Sequence, residues 1–258
     1  MPKGWNIMKT LRSSLSSAIY HGTRLLGGKQ KGLRILCYHK VNDTDQNYMT
    51  VSTEHFKAQM KFLSQQGYRT ISLASFLAGK ADEKNIILTF DDGYRDNHDY
   101  AYPILMEFGF SASIFCVAER MNTEDYLTSE NIRQMSLDGF EFGSHTISHP
   151  HLTQLKSEEK QFEISNSKKR LEDLIQKQVD FFCYPYGEYD QESVLLVEQS
   201  GYLGACSNRP GENGKKIEPY LLKRTEIGSN DSLYDFEKKM SGAFDLIHQG
   251  LHWVRGRA

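Results

Sequence analysis

Apolar residues fall in short runs separated by longer stretches of helical period. Eight runs, at 34–38, 68–71, 85–90, 113–117, 140–142, 179–184, 202–206 and 221–227, have the length of buried strands. Between them lie helical stretches. Residues 54–65 set Phe56, Met60 and Leu63 on one face, and the charged stretch 157–178 reads as a second long helix. Repeated βα units with short turns predict a parallel sheet, open or closed into a barrel. Near the start, Met8, Leu11, Leu15, Ala18, Ile19, Leu25 and Leu26 follow three- and four-residue spacings until Gly27-Gly28. At the other end, Met240, Phe244, Ile247, Leu251 and Val254 do the same, close to Trp253 and Arg257. The division expected is a leader helix at 1–32, a barrel at 33–230 and a C-terminal helix at 231–258 that packs on or extends it.

Charge changes this picture at one end only. The net charge is −2, yet the first 42 residues carry eight basic side chains and no acid. Beyond them, 23 basic residues face 33 acidic ones. A basic leader on an acidic body suits anionic lipid headgroups, and each amphipathic terminal helix either covers the body or lies in a membrane interface. Nucleic acid is excluded as a partner, because its footprint needs basic charge across the body. No run of about 18 apolar residues occurs, so no spanning helix is expected. Trp5-Asn6-Ile7-Met8-Lys9 interrupts any secretory apolar core, giving a cytoplasmic expectation, peripheral to the inner membrane face at most. Cys37, Cys116, Cys183 and Cys206 are too far apart for a zinc knuckle and read as reduced thiols.

Four polar clusters each follow one of the expected strands: His39, then Asp91-Asp92-Gly93, then His145 and His149, then Pro185-Tyr186-Gly187. Taken singly, each has a bland explanation. Paired aspartates before glycine are common in turns, and a lone histidine is usually packed or solvated. Together they sit on the rim where parallel barrels build active sites. A carboxylate with two imidazoles is a three-ligand set with an open position, the pattern of a catalytic divalent site. A neighbouring carboxylate is then free to act as base, and a further histidine as acid.

Thr89-Phe90-Asp91-Asp92-Gly93 and Ser144-His145-Thr146-Ile147-Ser148-His149 resemble the first two motifs of the polysaccharide deacetylases, carbohydrate esterase family 4 with its NodB homology domain. Tyr38-His39-Lys40-Val41 and Tyr184-Pro185-Tyr186-Gly187 extend the resemblance, which covers roughly residues 33–228. It implies a distorted (β/α) barrel with added terminal helices. It also implies Asp91 as general base and Asp92, His145 and His149 as ligands of one divalent metal, zinc by first choice, with cobalt, nickel or iron as alternatives. Tyr186 would hold the oxyanion through its backbone N–H, with Pro185 and Tyr184 on the substrate. Leu36-Cys37-Tyr38-His39 is similar to the circularly permuted form of the family, which makes His39 the acid; Leu246-Ile247-His248 matches the shorter unpermuted pattern.

The chain departs from that pattern twice. Cys183 stands where the third motif normally has an arginine that orients the base, and Arg224 is the candidate replacement. A fourth motif of the Asp-x-x-Asp-Trp type is missing. The resemblance implies hydrolysis of N-acetyl groups on amino sugars of a polysaccharide, oligosaccharide or lipid-linked precursor. The alternatives are a deformylase or deacetylase confined to a lipid-linked sugar, and a non-catalytic carbohydrate binder.

Overall fold

The computed structural model describes Ser16, Ser17, Tyr20, His21, residues 32–214 and residues 216–245 of the 258-residue chain. Nearly all of the leader helix, His248 and the apolar series beyond Phe244 lie outside these residues.

The strands are short and mostly sealed on both faces. β1 (Arg34–Tyr38), β5 (Asn85–Phe90) and β6 (Ser113–Cys116) are buried at every position, as strands of a parallel sheet covered on both sides must be. β7 (Glu141–Ser144), β8 (Phe181–Cys183), β9 (Gly204–Cys206) and β10 (Thr225–Glu226) complete the curled path β10-β1-β5-β6-β7-β8-β9. Every pairing along it is parallel, with Tyr38 opposite Phe90 and Cys116 opposite Ser144. β4 (Arg69–Thr70) adds to the first half of β5, and a two-stranded pair, β2 (Lys40–Val41) with β3 (Thr50–Val51), lies apart. A single parallel bridge, Cys206 to Leu222, brings the segment before β10 back against β9. The main chain fastens it twice: Leu222 N donates to Ala205 O and Ser207 N to Leu222 O, each at 2.9 Å. The sheet thereby curls into a distorted α/β barrel. The run expected as a strand over 221–227 is ordered as strand only at β10, because Pro219 opens a 3-10 turn that ends at Leu221.

Alternation along the strands divides the core in two. Ile35, Ile87, Phe115, Phe181, Cys183 and Cys206 point into the barrel. Leu36, Tyr38, Leu88, Phe90 and Phe182 point outward under the helices. The helices are α1 (Thr53–Gln65), α2 (Leu73–Leu77), α3 (Tyr102–Glu107), α4 (Ser129–Leu137), α5 (Ser157–Ile175), α6 (Gln191–Gln199) and α7 (Leu233–Met240). Ser52 caps α1 by accepting from His55 N, and Phe56, Met60 and Leu63 are its buried face, as their spacing predicts. α5 stops at Gln176, whose φ of 55° is left-handed. α7 begins at the capping box of Ser232 and Asp235 and packs Phe236 edge-on to Phe62 of α1. Tyr20 reaches this helix by donating to Glu237 at 3.0 Å. Among the described residues, no helix is long and apolar enough to cross a membrane.

Candidate active site

At the C-terminal rim of the barrel, strand ends turn sharply and aim polar side chains inward. Asp91 follows β5 and anchors its N–H on Tyr38 O at 3.0 Å. Asp92 and Gly93 then both take left-handed backbone, φ 72° and 74°. A Cβ on Gly93 would meet Cys116 Sγ at 3.0 Å and Cys116 Cα at 3.3 Å, so the turn needs glycine for space as well as for its φ. After β7, Thr146 and His149 are also left-handed. Glu163 on α5 pins the loop between them: one carboxylate oxygen accepts from Ile147 N and Ser148 N at 2.8 and 3.0 Å, the other from Ser148 Oγ at 2.7 Å.

Two imidazoles converge on Asp92. Its Oδ1 lies 3.4 Å from His149 Nε2 and 3.8 Å from His145 Nε2. His145 Nδ1 is 2.7 Å from Cys183 O, and a carbonyl only accepts, so the ring proton sits on Nδ1 and the Nε2 lone pair faces Asp92. Burial holds both imidazoles down to about 4, against the pull of the nearby carboxylates, so both are neutral donors at pH 7. Asp92 Oδ1 is buried and has no hydrogen-bond partner among the described residues. An orphaned carboxylate oxygen facing two imidazole Nε2 atoms fits a divalent cation in place of a proton donor.

Asp91 is held differently. It is 2% exposed, and Arg224 forks onto it with Nη1–Oδ1 at 2.6 Å and Nη2–Oδ2 at 2.7 Å. Cys183 and Cys37 direct their thiols at Oδ2 from 3.5 and 3.6 Å. Burial alone would raise the Asp91 carboxyl; the Arg224 guanidinium overcomes it and holds the group far below the usual carboxylate range. Burial pushes both thiols up, so they remain protonated donors. Arg224 is itself aimed by Asn208 Oδ1 at 2.7 Å, Ser207 O at 3.1 Å and Thr89 Oγ1 at 3.2 Å. His39 Nε2 stands 4.0 Å from Asp91 Oδ2, and its Nδ1 is buried without a partner among the described residues.

The rim therefore brings Asp91, Asp92, His145, His149 and His39 together, with Arg224 taking the place left by Cys183. Tyr186 lies beside them, 52% exposed, with φ 59°, its ring edge-on to His149 and stacked on His151 at 3.9 Å. Tyr184 and Pro185 correct the sequence reading. Both are buried, Tyr184 completely, with its ring among Phe182 and Tyr189, so neither side chain is open to a substrate. They act as the stem of the turn that presents Tyr186. Glu163 and Cys37 were invisible as site residues: one is an acid on a charged helix, the other belongs to an apolar run.

A curled parallel barrel whose rim gathers a guanidinium-locked aspartate and a separate carboxylate–dihistidine cluster defines a hydrolase. The chain belongs to the polysaccharide deacetylase family. The family model "Polysaccharide deacetylase" matches residues 78–205. YxkH of Bacillus subtilis (strain 168), which its name assigns to the polysaccharide deacetylases, is 33% identical over 204 residues, 77% of this chain and 72% of that one. The poly-beta-1,6-N-acetyl-D-glucosamine N-deacetylase of Staphylococcus aureus (strain MRSA252) is 24% identical over 255 residues, 91% of this chain and 86% of that one. The structure of the Streptococcus pyogenes deacetylase PplD in complex with acetate superposes with a TM-score of 0.75 at 23% identity, covering 81% of this chain and 98% of that one. That last likeness concerns the fold.

Proposed function

We propose that the protein removes acetyl groups from N-acetylated amino sugars of a glycan, releasing acetate and a free amine. The observation that carries this reading is the pairing of Asp91, its charge held by the Arg224 fork, with His39 4.0 Å away, beside a separate three-ligand cluster. Family membership supports it, as does the S. aureus relative named for poly-N-acetylglucosamine.

In this mechanism Asp91 takes a proton from water as the water oxygen bonds to the amide carbon. Its low basicity suits an anchor that keeps the carboxylate charged, and proton transfer is correspondingly driven by the acidity of the attacking water. Asp92, His145 and His149 would hold a divalent ion, zinc, cobalt, nickel or iron being compatible with this donor set. When bound, such an ion supplies Lewis-acid polarisation of the carbonyl and a lowered pKa for water. The Tyr186 backbone N–H faces the carbonyl oxygen as its charge develops. His39 Nε2 then gives a proton to the nitrogen as the carbon–nitrogen bond breaks.

Acetate release from N-acetylglucosamine oligomers, measured for the zinc- or cobalt-loaded protein beside Asp91→Asn, tests this. Release that Asp91→Asn abolishes is expected; undiminished release in the variant, or none from the wild type with any glycan, would refute it. The acid-free leader supports peripheral contact with anionic lipid at 1–32, which vesicle co-sedimentation of full-length and leader-deleted protein would check.

A further inference from the structure

A pair of soft donors flanks the Asp91 carboxylate on the side away from Asp92. Parallel pairing sets Cys37 of β1 opposite Thr89 of β5 and Tyr38 opposite Phe90, so the next step in register brings His39 beside Asp91. Residues two apart on a strand share a face, so Cys37 and His39 follow Ile35 to the inside of the barrel. The Cys37 thiol, the His39 imidazole and an Asp91 oxygen each offer one ligand atom, and the three atoms lie within 4.8 Å of one another.

The imidazole is unsettled in the protein as it stands. His39 Nε2 is 4.0 Å from Asp91 Oδ2, beyond hydrogen-bond range, and Nδ1 is buried with no partner among the described residues. Buried polar atoms are normally satisfied. The Cys37 thiol is held loosely, 3.6 Å from Asp91 Oδ2 and 3.9 Å from Tyr38 O. Thiolate sulfur beside imidazole nitrogen is a donor pair for thiophilic metal ions.

A similar group on the other side of Asp91, Cys183 with His145, is already spoken for. His145 Nδ1 is bonded to Cys183 O and its Nε2 is turned to Asp92, so an ion held by Asp92 and the two histidines consumes that ring. Cys183 Sγ also lies 3.1 Å from Arg224 Nη2, where a second cation would meet the guanidinium.

The charge around Cys37 sets the charge of the ion that fits. Asp91 and Arg224 neutralise one another in their buried pair. A divalent ion on a Cys37 thiolate would add one uncompensated positive charge there, which burial makes costly. A monovalent ion replaces the thiol proton one for one. The S–H bond breaks, the proton leaves to solvent, the metal–sulfur bond forms, and the net charge stays the same. Copper(I) is a monovalent ion that thiolate ligands select. The way in is from the rim: the His39 side chain is 13% exposed, and Cys37, 1% exposed, lies behind it.

We infer that Cys37 and His39, beside Asp91, form a second metal site, selective for a soft monovalent ion of the copper(I) class, and that filling it silences the enzyme. An ion on His39 Nε2 takes the lone pair needed to carry a proton to the leaving nitrogen and stands between acid and base. The inhibition rests on the deacetylase reading; the binding site does not.

The test titrates zinc-loaded protein with copper(I) against a chromophoric copper(I) chelator, for wild type, Cys37→Ser and Cys183→Ser, with zinc content followed throughout. Expected is one copper(I) per chain beside retained zinc. Affinity should fall at least about 100-fold in Cys37→Ser, the upper end of what is lost with residues that only orient ligands, and change little in Cys183→Ser. X-ray absorption at the copper edge of the wild type should show one sulfur and an imidazole nitrogen. Acetate release from N-acetylglucosamine oligomers should fall as copper fills the wild type and return when the chelator removes it. Cys37→Ser, compared with its own copper-free rate, should resist. Equal copper(I) affinity in wild type and Cys37→Ser, no binding to the wild type, or displacement of zinc would overturn the site and leave the deacetylase reading standing. Copper bound through Cys37 with acetate release undiminished would overturn the inhibition. Should Cys37→Ser fail to hold zinc, the absorption spectrum decides, and a copper ion with no sulfur neighbour, or with two, overturns the site. If no glycan releases acetate, copper binding lost in Cys37→Ser supports the site while the deacetylase reading falls.

Discussion

Arg224 and Asp91 meet as a two-bond fork at 2.6 and 2.7 Å, both side chains almost fully buried. The guanidinium comes from the segment that closes the barrel, and Cys183 leaves the room it needs, with Sγ 3.1 Å from Nη2. Breaking such a pair from one side strands the other charge in a poor solvent.

Arg224→Met should cost about 3–5 kcal/mol of stability, because an uncompensated Asp91 charge remains buried. Asp91→Asn together with Arg224→Met should recover much of that loss while remaining inactive. Urea unfolding of the single and double variants checks the coupling; equal instability of the two would refute it.

Cys183→Arg, which restores the residue type usual in the family, should be harmful here, since two guanidiniums would compete for one carboxylate. Paired with Arg224→Ala it should regain activity lost by either change alone. A double-mutant cycle on kcat/KM measures this, and additive losses would show that the two positions do not share a role.

Glu163→Gln should leave the fold intact but loosen the loop carrying His149, since the neutral amide is a weaker acceptor for Ile147 N and Ser148 N. Metal affinity is expected to drop about 10–100-fold, the usual range for residues that orient ligands. Competition with a chelator gives the number directly.

The metal-free protein should lose stability as pH falls. His145 is buried neutral with its pKa lowered to about 4, so its contribution is full above about 6.5 and disappears as pH drops through about 4. About 3 kcal/mol is at stake for this one group. His145→Gln should flatten that part of the stability–pH curve; a curve unchanged between pH 4 and 6.5 would show that His145 is not the group concerned.

The strand ends were legible because each apolar run stops where a chemistry-bearing residue begins: Phe90 before Asp91, Tyr38 before His39. The α1 face was legible from three residues in helical period. The family resemblance put Tyr184 on the substrate, whereas strand alternation sends Cys183 inward and Tyr184 under the helices. Arg224 entered only as a substitute cation, since its reach to Asp91 depends on the bridge between Cys206 and Leu222. Glu163 had no local signal at all: its loop contacts lie 15 and 16 residues back along the chain.

That bridge ties the ionisation of Asp91 to closure of the barrel wall. Leu222 is two residues from Arg224, so the cation that ionises Asp91 is carried by the segment that closes the wall. A chain whose seam has not zipped holds an Asp91 in apolar surroundings without its counter-charge, and burial then favours the protonated, inert acid. The seam thus works as an interlock: without it every residue of the site is present, and Asp91 lacks the counter-charge that holds it ionised.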